Sequence, residues 1–144
     1  MGRLDITGFG DLESLLKGLS EPEKIAKKAV KAAAPVIEKN LKSEIKRAAN
    51  RKDKRGKPYS TGGLAGSIKS TPVLENDLGV YAVVKPEGNN TRGLPYAQEM
   101  AFLEYGVASH GQEPRPVRRN AVAASEAECL RIMEQVVNEE VDKL

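Results

Sequence analysis

The chain has no tryptophan, two phenylalanines, one histidine and one cysteine among its 144 residues. Each scarcity removes a class of function. The lone Cys129 excludes an internal disulfide and a cysteine-based metal cluster. It falls on an apolar helical stripe, where a small buried hydrophobe is the simpler reading than a nucleophile. His110 stands between Ser109 and Gly111 with no cysteine nearby, so it reads as a solvated loop residue rather than a metal ligand or catalytic base. No stretch approaches the roughly 18 apolar residues of a membrane span. No apolar run follows Met1-Gly2-Arg3-Leu4-Asp5, so no secretory signal is expected. The chain reads as a soluble protein of a reducing cytoplasm, and Asn89-Asn90-Thr91 reads as a loop rather than a glycosylation site. With aromatics at 4%, a core must come from Ala, Val, Ile and Leu. Alanine-rich faces bury little area each, so a modest core helped by association is expected of one domain over 1–144.

What is present is charge, unevenly placed. Residues 39–57 carry nine Lys/Arg against Glu44 and Asp53, a net of +7 in a chain whose total is +3. Residues 126–144 carry six acids against Arg131 and Lys143, a net of −4. The basic stretch has three readings: a nucleic-acid backbone contact, a solvated helix end with a loop, or a protein-docking surface. The acidic last helix of a neighbouring copy suits the third, in a head-to-tail contact. With only Tyr59 as a nearby aromatic, a base-stacking platform is poorly supported.

The periodicity predicts a short leading helix near 11–18, then a long helix over about 22–50. Ser20 and Glu23 suit a capping box, and Pro22 suits a first turn. The stripe Ala26, Val30, Ala33, Ile37, Leu41, Ile45, Ala48 recurs at three or four residues, and Pro35 predicts a kink. Residues 51–62 lack periodicity and read as a flexible basic loop. Strand-like stretches at 66–74 and 79–86, with a turn at 75–78, predict a β-hairpin. A short helix is expected at 96–105, and a strand returning to the hairpin is placed within 106–116. A final helix over 117–142 shows Ala121, Val122, Cys129, Ile132, Met133 and Val136 as its apolar face. The fold class is α+β: a small antiparallel β-sheet, hairpin plus one or two further strands, packed by a long kinked helix and a C-terminal helix.

No catalytic constellation emerges. Thr61-Gly62-Gly63-Leu64-Ala65-Gly66 lacks the Gly-Lys-Ser/Thr ending of a phosphate loop and reads as a capped turn leading into a strand. Glu99 and Glu104 lie about 140° apart on a helix and do not converge. Glu104 reads as a buried or interface carboxylate accepting from backbone amides or from an arginine such as Arg115.

The order of elements carries a resemblance. A long Ala/Lys-rich helix containing Ala33-Ala34-Pro35-Val36-Ile37 precedes "TGGLAGSI" and a hairpin. "YAQEMAFLEYG" follows, then "PRPVRRNAV" opening the last helix. This resembles the tail-completion, or head–tail joining, proteins of long-tailed bacteriophages and prophages over about residues 24–137. The matching positions are Thr61, Gly62, Leu64, Ser67, Ile68, Tyr96, Ala97, Glu104, Gly106, Arg115, Pro116 and Arg118. The chain departs where the family's Phe is Val117 and its second Pro is Arg119, and 108–113 is longer. The resemblance implies a structural neck protein of the virion, assembled in the bacterial host cytoplasm, with no catalytic turnover and no cofactor. It would form a ring, hexameric in the particle, between the head connector or stopper and the tail-tube proteins. Arg51, Lys52, Lys54, Arg55 and Lys57 are the expected docking loop, or a lumen surface touching passing DNA. Glu134, Glu139, Glu140 and Asp142 are the expected acidic interface. The alternative function is a small basic nucleic-acid-binding protein.

Overall fold

The computed structural model describes residues 21–48 and 62–143. The expected leading helix, the Ser20 cap, Thr61 and the basic loop residues Arg51, Lys52, Lys54, Arg55 and Lys57 lie outside the described residues.

Helix α1 runs Pro22–Ala48 and continues through Pro35, which is exposed. The carbonyl that Pro35 leaves without an amide donor is one turn earlier, and an exposed proline lets water satisfy it. A single turn, α2 (Gly63–Ser67), leads into strand β1 (Ile68–Ser70). Strands β2 (Leu74–Asn76), β3 (Gly79–Tyr81) and β4 (Val84–Pro86) follow. Then come α3 (Tyr96–Tyr105), a 3-10 turn at Ala108–His110, and α4 (Val117–Asp142). The class is α+β, with the C-terminal helix packed against the first.

The hairpin is one unit with a step in register. β1 pairs antiparallel with β4, Lys69 opposite Lys85, and β2 pairs with β3, Glu75 opposite Val80. Between the two ladders Thr71 still meets Val83: its amide donates to the Val83 carbonyl at 2.8 Å, and its side-chain Oγ1 accepts from the Val83 amide at 2.9 Å. Pro72 and Val73 then oppose Ala82, two residues against one, which is the arrangement of a β-bulge. Pro72 has no N–H to give a ladder, so the break falls where pairing is cheapest to lose. The two stretches expected as continuous strands are therefore four strands in two ladders. The turn is narrower than 75–78: Glu75 and Asn76 are paired, and the Asn76 side chain accepts from the Leu78 amide at 2.9 Å.

The returning strand expected within 106–116 is not formed. Gly106 (φ 74°) and Gly111 (φ 65°) take left-handed backbone, and Pro114 and Pro116 have no amide to offer. The segment closes on itself instead, with Val107 bridging Gln112.

Both long helices bury residues along a line of fours, interrupted on α1 at half-buried Ile37. On α1 these are Ile25, Ala29, Ala33, Leu41 and Ile45, with Ala34 beside them. On α4 they are Val117, Ala121, Ser125, Cys129, Met133 and Val137. Four residues overshoot a full turn by about 40°, so the buried line winds around the helix. The expected faces were straighter. Ala26 and Val30 are only half-buried where Ile25 and Ala29 are buried, and Val122 is exposed where Ser125 is buried. Lys28 with Glu140, Ala33 with Cys129 and Asn40 with Ser125 show the helices running antiparallel along their length.

Candidate functional site

The residues that carry the resemblance gather at one joint. Its first part is α2. Gly62, at φ 80°, turns the chain, and the Gly66 amide closes the turn on the Gly62 carbonyl at 3.0 Å. A Cβ on Gly63 would collide with the Tyr96 hydroxyl, so the TGGLAGSI turn and the start of α3 meet at this point. Leu64 and Ile68 enter the larger core with Leu41, Ile45, Val84, Met100 and Val117. Ser67 is buried and its hydroxyl donates to the Leu64 carbonyl at 2.6 Å. Ala97, by contrast, is exposed.

The second part joins three helices. Pro116 precedes α4 and has no side-chain oxygen to cap it. Glu104, buried near the end of α3, supplies the missing acceptor: its Oε2 takes the Arg118 amide at 2.8 Å. A carboxylate at a helix N-terminus also suits the helix dipole. Arg118 folds back over the same corner. Its Nη2 donates to the Tyr105 hydroxyl at 2.7 Å, its guanidinium lies 5.6 Å from the Tyr105 ring centre, and its Nε stands 4.0 Å from Glu104.

Glu104 was expected to accept from an amide or from Arg115. The amide is found, but the arginine beside it is Arg118. Arg115 reaches elsewhere: its guanidinium donates to the Ala48 carbonyl, the last of α1, and its amide donates to the Leu103 carbonyl at 2.6 Å. One residue thus closes the C-terminal end of α1 and ties it to α3 as the chain turns into α4. Gly106 makes this turn possible, since a Cβ there would stand 2.6 Å from the Gln112 carbonyl oxygen and 2.8 Å from the Pro114 nitrogen.

The acidic residues of α4 divide. Glu140 accepts from Lys28 of α1 at 3.0 Å and from Lys143 at 3.1 Å. The Lys28 bond, then the Lys143 bond, hold its carboxyl below its ordinary value. Glu140 therefore clasps its own chain. Glu139 is exposed and accepts from Gln135 at 3.1 Å, and Glu134 and Asp142 are exposed. Helix α1 carries Lys39, Lys42 and Lys46 around an open depression of about 350 Å³, shared with Pro35, Glu38 and Ser43. Glu38 is engaged there by Ser70 at 2.8 Å and Lys42 at 3.1 Å, and the Ser70 bond is the main cause of its lowered pKa.

The other titratable candidates are placed as follows. Cys129 is fully buried and its thiol faces the Ala33 carbonyl at 3.7 Å. Burial, and secondarily Glu128, push its pKa up, away from a thiolate. His110 ends the 3-10 turn. Glu99 accepts from the Asn90 side chain at 2.6 Å, while Glu104 faces α4, so the two carboxylates serve different contacts. Asn90 also accepts from the Arg92 and Leu94 amides, which organises the 89–95 loop. Among the described residues no group of three or more His, Cys, Asp or Glu could hold a metal, and no helix is long and apolar enough to cross a membrane.

Sequence reasoning missed Ala48, Tyr105 and Gly63 as partners in the joint. The signal available for Gly63 was a second glycine where a turn needs only one. For Tyr105 it was an aromatic directly after the buried acid. Comparison of the chain with protein-family models, curated proteins and solved structures gives no match.

Proposed function

We propose that this chain is a structural protein of the head–tail junction of a long-tailed phage or prophage. It acts by forming a ring and docking between the head connector and the tail tube, without turnover. The observation that carries the reading is the use made of the motif residues. Gly62, Tyr96, Glu104, Gly106, Arg115 and Arg118 are spent on fixing one joint between helices and hairpin. Residues invested in geometry rather than in a reactive cleft suit a part whose work is to hold surfaces at set angles. The exposed acids Glu134, Glu139 and Asp142 remain on one end of α4 to set polarity between neighbours. The basic segment 51–57 is the proposed partner-docking surface.

The test is genetic and visual. Removing the gene from an inducible prophage that carries it should leave filled heads and finished tails unjoined in electron micrographs. Joined, infectious particles in normal yield would overturn the reading. Restoring the gene with Lys52, Lys54 and Arg55 reversed to Glu should leave the protein folded and joining impaired.

A second reading, a small basic nucleic-acid-binding protein, is favoured by the row Lys39, Lys42 and Lys46 on one side of α1. Its signature would be tight DNA binding that weakens steeply with salt. The joining reading expects weak binding at physiological ionic strength.

A further inference from the structure

Two exposed apolar features stand toward opposite ends of α1, one beside acids and the other beside arginines. The hairpin tip presents Leu78, 82% exposed, and Leu74, 41% exposed. Glu75 and Asp77 flank them, both exposed. The far corner presents Tyr105, 70% exposed, with Phe102 exposed three residues earlier on α3 and Val122 exposed four residues after Arg118 on α4. Arg118 is fastened there by its bond to the Tyr105 hydroxyl, and Arg119 is exposed next to it. Glu113 is the one exposed acid in the neighbouring loop.

The two features cannot meet within one chain. The tip is held beside the start of α1, where Lys27 pairs with Glu75 at 3.2 Å. The corner is held at the other end of α1 by Arg115 on the Ala48 carbonyl. The 21 residues of helix between these anchors span about 30 Å. An exposed leucine alone is ordinary on a protein surface; what suits a contact is Leu74 and Leu78 beside acids at one end and Tyr105 and Phe102 beside arginines at the other.

We propose that the hairpin tip of one copy, Leu74–Leu78, docks on the Phe102–Tyr105–Val122 corner of the next. Leu78 lies against the Tyr105 ring, and Asp77 faces Arg118 and Arg119. Two different surfaces meet, so the contact is heterologous. It propagates from copy to copy and closes as a ring where the rotation allows. This rests on the ring reading and deepens it by naming a contact between copies, beside the polarity set by the acidic end of α4.

The experiment is a crosslink in the full chain. Leu78→Cys and Tyr105→Cys are made singly and together, and helical circular dichroism checks that each folds. Under mild oxidation at high concentration the double variant should give a ladder of dimers, trimers and higher species. Each single variant should stop at a small dimer fraction. Buried Cys129 contributes no band, which the parent chain checks. Charge reversal at Asp77→Arg should weaken the ladder several-fold, and adding Arg119→Asp should restore part of it. A double variant that gives no more than the single variants overturns the contact. If the ladder fails while the gene deletion still separates heads from tails, only the contact falls. If the ladder forms while the deletion leaves particles joined, the junction reading falls and the contact stands.

Discussion

Around Leu41 and Ile45, helix α1 is enclosed by α2, β1, β4, α3 and the start of α4. Around Ala29 and Ala33, the core is made by α1 and α4 alone. The first region is filled with large side chains: Leu41, Ile45, Leu64, Ile68, Val84 and Met100. The second buries small ones, Ala29, Ala33 and Cys129, with Met133, and Val30, Val36, Ile37 and Val136 pack partly buried at its margins. Many elements meeting at angles leave volume that large residues must fill. Two antiparallel helices meeting along their length need small residues to approach closely. The molecule is thus a multi-element joint carrying a slender helical arm, and the two should respond oppositely to changes of size.

The largest effect is expected at the joint's tightest point. Gly106→Val places a branched side chain at φ 74° and into the Gln112 carbonyl. A cost of about 4 kcal/mol or more follows from strain and collision together, seen as loss of the cooperative thermal transition. If this variant melts like the parent, the joint is softer than its contacts imply.

Next come two substitutions that test the contrast directly. Ile45→Ala removes a side chain that is 1% exposed and should cost about 3 kcal/mol in urea unfolding. In the arm, Ala33→Leu should cost about 2 kcal/mol by overpacking against Cys129 and Met133. A stabilising Ala33→Leu would mean that the arm holds spare volume.

The joint's polar fastening should be smaller still. Glu104→Ala leaves the Arg118 amide without its acceptor and should cost about 1 kcal/mol. Glu104→Gln keeps an acceptor and should cost less than half as much. Equal losses in the two variants would shift the role from hydrogen bonding to charge.

How far the sequence foretold this layout differs by region. Helix positions were legible: α1 was expected at 22–50 and spans Pro22–Ala48, and α4 spans Val117–Asp142 as expected. Their charges, caps and periodicity are local properties. The facing of the arm was not legible, because the stripe was drawn through the most apolar residues. The apolar pattern favours Val122 over Ser125, yet Ser125 is buried, donating to the Ala121 carbonyl and accepting from Asn40. A polar residue with both bonds met inside the chain is invisible to a hydrophobic pattern. The Pro72 step in the hairpin was written in the sequence, since proline cannot join a ladder. At the joint, the burial of Glu104 was legible, but its arginine was not. Arg115 and Arg118 differ by three positions, and only the fold decides that one reaches Ala48 and the other Tyr105.

The smallest effect is acid loss, which touches both regions. Glu38 ties α1 to β1 through Ser70, and Glu140 ties the arm's far end through Lys28. Both carboxyls are lowered from 4.5 in the folded chain. Their stabilisation is therefore complete above pH 4.5 and is lost as pH falls from there through the lowered values. Urea midpoints between pH 6 and about pH 3 should decline on this schedule. Added salt should weaken the Lys28–Glu140 share more than the share that rests on the neutral Ser70 hydroxyl.

We propose that this chain joins two finished structures without consuming anything. Purified protein added to a lysate of unjoined heads and tails from the gene deletion tests it most directly. Joined, infectious particles should appear in proportion to added protein and plateau once every junction is filled, with no nucleotide or metal required of the protein itself. Failure to restore joined particles at any concentration of folded protein would contradict the account.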